Sequence, residues 1–268
     1  MKYEDAESNL PLKIVGYFLL GAFTFQINEF AVPLGFLVFR MFVRPAKNSR
    51  VKQRAVYFGF AIFVLQLMIP AVIEYIYEYP RKVTATSADV YKLSFTHDWS
   101  AIKDSMQIDP DAHLEDFRSE YLKNGQLRRL SYNLVSHSED GYIHYRIRFS
   151  PEKKEYSIRR NKVGDRWAQY DRTVKAERFF EVLDQAQVRT LLQNQAYVEY
   201  SLISDGEMTS YGIKETSKFL VKDKEIRQIS NNELPVTGYY IVSCGKDYKW
   251  VSGIETSGCD AVVDFLFE

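Results

Sequence analysis

Residues 55–73 read AVYFGFAIFVLQLMIPAVI, nineteen positions with one strongly polar side chain, Gln66. As a helix this stretch spans about 28 Å, close to the roughly 30 Å hydrocarbon core of a bilayer. A soluble core helix of that length carries a polar stripe, and this one carries none. Pro70 falls in its last turns, where a membrane helix tolerates it. Tyr75, Tyr77 and Tyr79 follow, and tyrosine rings favour the membrane–water boundary. The expected span is 55–75.

An earlier apolar run covers residues 14–39 and contains Gln26, Asn28 and Glu29, with Pro33 shortly after. At about 39 Å as a helix it exceeds the bilayer core. Two structures fit. One is a single tilted helix kinked near Pro33. The other is a pair of half-spans, 14–25 and 30–43, folded back as a re-entrant loop. The single helix is the favoured expectation, and it makes residues 1–79 a two-helix transmembrane hairpin. The first thirteen residues are slightly acidic and no small-residue cleavage site follows, so the run does not read as a cleaved signal peptide.

Between the runs, residues 40–54 hold Arg40, Arg44, Lys47, Arg50, Lys52 and Arg54 and no acid. The positive-inside rule places this loop in the cytoplasm. Residues 80–268 then lie outside. The N-terminal tail is outside with a single first helix and cytoplasmic with a re-entrant one. The expected location is a cell membrane, bacterial plasma or inner, crossed more than once. In an antiparallel hairpin Glu29 and Gln66 fall at the same depth, roughly 16 Å from the cytoplasmic boundary. With Gln26 and Asn28 they form an intramembrane polar set, which either locks the hairpin or contacts a partner.

From residue 80 onward the composition is that of a soluble domain. Its 27 basic and 29 acidic side chains leave a net charge of −2, which gives no global argument for nucleic-acid binding. Residues 80–108 read as a connector. Asp109-Pro110-Asp111 reads as a helix start, Leu114, Phe117 and Tyr121 as its apolar face, and Asn124-Gly125 as its stop. Three strands follow. The clearest is Ile143, Tyr145, Ile147 and Phe149 alternating with Tyr142, His144, Arg146 and Arg148, after a turn at Asp140-Gly141. A second helical region begins near Thr173, marked by Ala176, Phe180 and Leu183 and resumed by Val188, Leu191 and Leu192. Further strands are expected at 197–203, 210–214, 218–222, 239–244, 249–254 and 261–267. The order implies a membrane-anchored α+β protein whose domain 109–268 packs helices on antiparallel sheet. A division near residue 170, into two helix-plus-three-strand units, is left open.

The two cysteines, Cys244 and Cys259, both fall on the outer side, where a disulfide would close a loop worth roughly 3 kcal/mol. The four histidines, His97, His113, His137 and His144, match no metal-site pattern, and no nucleophile, phosphate or dinucleotide motif is present. No metal or cofactor is expected. The polar strand face of Tyr142, His144, Arg146 and Arg148 is the candidate binding surface for an anionic ligand. The alternative for that face is arginines paired with nearby acids. The expected function is a non-catalytic binding or regulatory module in an envelope assembly. Its expected partners are membrane lipid and another envelope or membrane protein, not nucleic acid. The competing expectation is a membrane-bound enzyme of unrecognised type with its site in the outer domain.

Overall fold

The computed structural model describes residues 7–27, 30–139, 141–164, 170–185, 197–222, 225–246, 248–251, 254–257 and 260–268. The chain divides into two compact units, Met1–Tyr77 and Glu78–Glu268.

In the first unit α1 (Leu10–Ala22) leads into a small hairpin, β1 (Phe25–Ile27) and β2 (Phe30–Val32). Then come α2 (Leu34–Phe42) and α3 (Ser49–Glu78). The apolar run 14–39 is therefore not one helix, and it supplies no second helix long enough for the expected two-helix transmembrane hairpin. Pro33 is the reason at one end: it cannot donate to a preceding turn, and it pushes Val32 into extended backbone. It caps α2 instead of kinking a longer helix. The break satisfies its own backbone, because Phe25 pairs with Val32 and Gln26 with Ala31. Among the described residues α3 is the one helix long and apolar enough to cross a membrane.

The three helices meet through glycine. A Cβ at Gly21 would stand 2.1 Å from the Val56 carbonyl oxygen, and one at Gly59 would stand 2.1 Å from that of Phe18. At Gly35 it would meet the Leu20 oxygen at 1.9 Å. Such backbone-to-backbone contact is how helices associate in lipid, where apolar burial gives no drive. Large apolar side chains point the other way: Leu12, Phe30, Phe58 and Ile73 are each more than 60% exposed. Gln66 is also exposed on α3, and Gln26 is exposed on β1. Asn28 and Glu29 lie outside the described residues, and so does the expected Glu29–Gln66 pair.

One ionic cluster ties the N-terminal tail to the start of α3. The Glu7 carboxylate accepts from Lys52 Nζ at 2.8 and 2.9 Å, from Lys13 Nζ at 2.9 Å and from Asn48 Nδ2 at 3.1 Å. These bonds, that of Lys52 above all, hold its pKa down at about 2. Glu7 thus lies at the same end of the unit as the basic loop.

The second unit is α+β. Its strands are β3 (Arg81–Thr84), β4 (His113–Leu122), β5 (Leu127–Ser138), β6 (Gly141–Ser150), β7 (Glu155–Val163) and β8 (Glu199–Ser204). After them come β9 (Thr209–Tyr211), β10 (Ser217–Lys222), β11 (Glu225–Ile229) and β12 (Val236–Lys246). The last are β13 (Tyr248–Val251), β14 (Ile254–Ser257) and β15 (Asp260–Phe267). Eleven of these form one sheet, ordered β11-β10-β15-β12-β8-β4-β5-β6-β7-β3, with β9 added to β12. β13 and β14 form a separate hairpin. The large sheet is mixed rather than antiparallel, because β10 and β15 run parallel. It is also continuous: β8 joins β4, so the strands do not separate into two three-strand sheets.

Helices α4 (Phe95–Met106) and α5 (Ala176–Asp184) cover one face. Phe180 stacks on Phe95 and meets Trp99 and Tyr132, while Phe179 meets Phe117. Asp184, the last residue of α5, caps α4: its carboxylate accepts from Phe95 N at 3.0 Å and from Thr96 N at 2.8 Å.

The helix expected from Asp109 is corrected: 113–122 is strand β4, and the helix lies earlier, in the segment read as connector. The spacing 114, 117, 121 imitates a helix for two reasons. A bulge sets Glu115 outside the pairing, between Leu114 and Asp116. Beyond it the true core positions are 117, 119 and 121, but residue 119 is a buried serine and hides the alternation. Asn124-Gly125 is the turn to β5, with Gly125 at φ +89°. The strands from β5 to β7 and the apolar face of α5 are where the sequence placed them, while Val188, Leu191 and Leu192 lie outside the described residues. The sequence places a strand or linker at 84–88, beginning where β3 ends, gives no sign of β11, and reads as one strand the stretch 249–254, whose described residues belong to β13 and β14.

Candidate functional site: a basic face on the open side of the sheet

Register places the site. Arg148 pairs with Ser131 on β5 and with Ser157 on β7. Arg146 pairs with Asn133 and with Arg159. Facing partners share a side of the sheet, so Arg146, Arg148 and Arg159 all emerge opposite the helices. The buried side chains of β6, namely Tyr145, Ile147 and Phe149, point into the core. The three arginines and Ser157 line one shallow depression of about 170 Å³.

No acid pairs with Arg146, Arg148 or Arg159 among the described residues. Their neighbour Arg118 is different, for its Nε donates to Glu120 Oε1 at 2.8 Å. The alternative of arginines paired with nearby acids therefore fails for the three that line the depression, within those residues. The rest of this side is closed farther along. The row through Arg148, Ser131, Arg118, Ile203, Val242 and Asp264 crosses six strands. At its far end Tyr211, Ile229 and Leu266 form a second small core. There the buried Asp264 carboxylate accepts from the Tyr211 hydroxyl and from Thr216 Oγ1.

His144 and Tyr142 sit on the same side but are engaged. His144 Nε2 lies 2.7 Å from Glu115 Oε2, and its Nδ1 lies 3.3 Å from Asn161 Oδ1. The bulge at β4 is what presents Glu115 there. Tyr142 belongs to an aromatic ladder with His137, Tyr170 and His113. Within it Thr173 Oγ1 lies 2.9 Å from the Tyr170 carbonyl, to which it can donate, and 3.2 Å from His113 Nδ1. Burial pushes the Tyr170 hydroxyl up to about 12, and it donates to the Asp111 carbonyl. Three histidines thus gather at one end of this face. Even so, no group of three or more His, Cys, Asp or Glu able to hold a metal occurs among the described residues.

Residues 97–263 match an archaeal family. The chain belongs to that family. The match starts inside α4 and ends inside β15, so it covers most of the sheet unit, without β3, and none of the helical unit. The archaeal family also removes the support for a bacterial membrane. No curated protein and no solved structure matches the chain.

The charged groups in the lining are all donors. A guanidinium stays protonated and presents a planar fork that fits carboxylate or phosphate oxygens. Ser157 is the one hydroxyl in the lining, and no base stands beside it there. Among the described residues the lining holds no carboxylate and no histidine, and its three guanidinium groups suit an anion. At about 170 Å³ it is also smaller than the roughly 300–1,000 Å³ that encloses a small molecule. Sequence alternation had singled out Arg146 and Arg148. Arg159 needed the β6–β7 register, because the run Ile158-Arg159-Arg160 does not say which arginine faces which side.

Proposed function

We propose that this protein is a membrane-anchored binding module whose sheet domain, outside the cytoplasm, holds an anionic group of a larger envelope partner. The observation that carries this reading is the open depression with three arginines and no paired acid among the described residues. The anchor is α3, crossing once, with α1 and α2 as a re-entrant pair packed against it, α1 through Gly21 and Gly59 and α2 through Phe36. The exposed apolar shell of these helices supports lipid as their surroundings. The six-cation loop keeps the start of α3 cytoplasmic. Glu7 keeps the N-terminal tail at that same end, which replaces the expectation of an outside tail.

Charge reversal tests the basic face. The full chain in neutral detergent is titrated with poly-glutamate and, separately, with polyphosphate. Arg146→Glu with Arg148→Glu should weaken binding about a hundredfold, since each charge-assisted contact is worth about 1.5 kcal/mol or more. Arg128→Glu with Lys153→Glu, exposed and outside the depression, should change it less than about threefold. Equal binding by both variants would sink the basic-face reading and leave the anchor untouched.

Topology and the disulfide share one experiment. Cys244 is buried on β12, and its neighbour in register is Ala261, two positions past Cys259. Cys259 itself lies outside the described residues. A bond between the two cysteines belongs to this proposal. Intact cells are treated with a membrane-impermeant maleimide. An Ala46→Cys chain should stay unlabelled until the membrane is opened, and the parent chain should take no label even when denatured. Labelling of Ala46→Cys in intact cells would invert the topology. Two reactive thiols in the denatured parent would rule out the bond.

A further inference from the structure

The helical unit carries a second basic depression, unrelated to the sheet. It has a volume of about 500 Å³, lies where α2 ends and α3 begins, and is lined by Arg40, Arg44, Ser49, Gln53, Val43 and Tyr57. Phe36 fixes its walls by stacking on Phe60 at 4.2 Å and meeting Tyr57 edge-on at 5.7 Å. Arg40 lies in the last turn of α2 and Arg44 just past its end, and no acid pairs with either among the described residues. The loop has no acid of its own, and Glu7 is engaged by Lys52, Lys13 and Asn48. A second, apolar recess of about 230 Å³ adjoins through Tyr57 and runs along α3 past Arg54, Phe58 and Ala61.

Cations at one end and a shallow apolar surface continuing along the helix from them match an amphiphile with an anionic head. We infer that this cleft binds one phosphate-bearing membrane lipid, its phosphate on Arg40 and Arg44 and the start of its chain along Tyr57, Phe58 and Ala61. The inference rests on the reading of α3 as a membrane span, which puts the cleft at the cytoplasmic boundary. Basic recesses between membrane helices on that side are where anionic head groups dock. The volume is in the range of a ligand site, unlike the depression on the sheet.

The test uses the full chain in neutral detergent, titrated with phosphatidylglycerol, phosphatidylcholine or inorganic phosphate, with retained lipid counted by native mass spectrometry. The parent chain should retain one phosphatidylglycerol and no phosphatidylcholine. Arg40→Gln with Arg44→Gln should weaken retention roughly thirtyfold, from about 1 kcal/mol per surface cation. Lys47→Gln with Arg50→Gln, in the same loop but outside the lining, should leave it within about twofold. Arg40→Lys with Arg44→Lys should restore most of it, which separates lost charge from lost folding. An equal loss in both Gln pairs would mean diffuse loop charge and overturn the site. Inorganic phosphate competing at the same concentration as the lipid would overturn the lipid as its ligand. A chain that stays in the aqueous phase without detergent would instead remove the membrane reading itself.

Discussion

Phe180→Ala should lower the unfolding free energy of the sheet unit by about 3–5 kcal/mol, the cost of removing a fully buried phenyl ring. Phe180 is 1% exposed and sits where both helices meet the sheet. It lies parallel to Phe95 at 6.3 Å, against Trp99 at 5.7 Å and edge-on to Tyr132 at 5.1 Å. The hole would be walled by elements that cannot close on it, because Asp184 ties the end of α5 to the start of α4. Domains are stable by only about 5–15 kcal/mol, so the variant loses a large share of its margin. Urea unfolding of the full chain in detergent, followed by tryptophan fluorescence, reads the shift in midpoint. A loss under about 1 kcal/mol would mean the aromatic cluster is not packed as described. Phe180→Leu, which leaves a smaller hole, should cost less than half as much.

Gly59→Leu should detach α1 from α3. A Cβ at Gly59 would meet the Phe18 oxygen at 2.1 Å and the Ala22 nitrogen at 2.7 Å, both backbone atoms that no rotamer change can move. Overpacking commonly costs 1–3 kcal/mol, and a clash with a facing backbone belongs at or above the top of that range, about 3 kcal/mol. Gly16→Leu lies on the same helix system with nothing within 4 Å of its Cβ and serves as the control. The readout is protease cleavage of the N-terminal tail in detergent. Release of α1 pulls Glu7 from Lys52 and exposes the tail. Cleavage should quicken for Gly59→Leu and not for Gly16→Leu, and equal rates would reject the glycine contact.

Some of this protein could be read one residue at a time. The run 55–73 is apolar on every side, so its place in α3 needs no partner to be recognised. The alternation from Tyr142 to Phe149 has large residues at every core position, and β6 follows directly. Other segments misled. In β4 the bulge at Glu115 and the serine at 119 turned a period of two into spacings of three and four. Phe95, Trp99, Ile102 and Met106 do carry a helical period, at spacings of four, three and four, and Ser94 caps it by accepting from His97 N. That signal was overshadowed by the Asp-Pro-Asp sequence that follows.

The sequence by itself determined the long apolar helix, the cationic loop before it, the α+β character of the remainder and the side of β6 on which Arg146 and Arg148 emerge. Each of these depends on the local order of side chains and on a fixed period. The tertiary structure alone decided three things. It broke the first apolar run into α1, a hairpin and α2, because Pro33 starts a new helix at Leu34 and glycines let α1 approach both α2 and α3. It merged the strands into one mixed sheet, because β8 pairs with β4. It added Arg159 to Arg146 and Arg148 and kept described acids away from all three, because strand register, which no single strand encodes, sets which charges become neighbours.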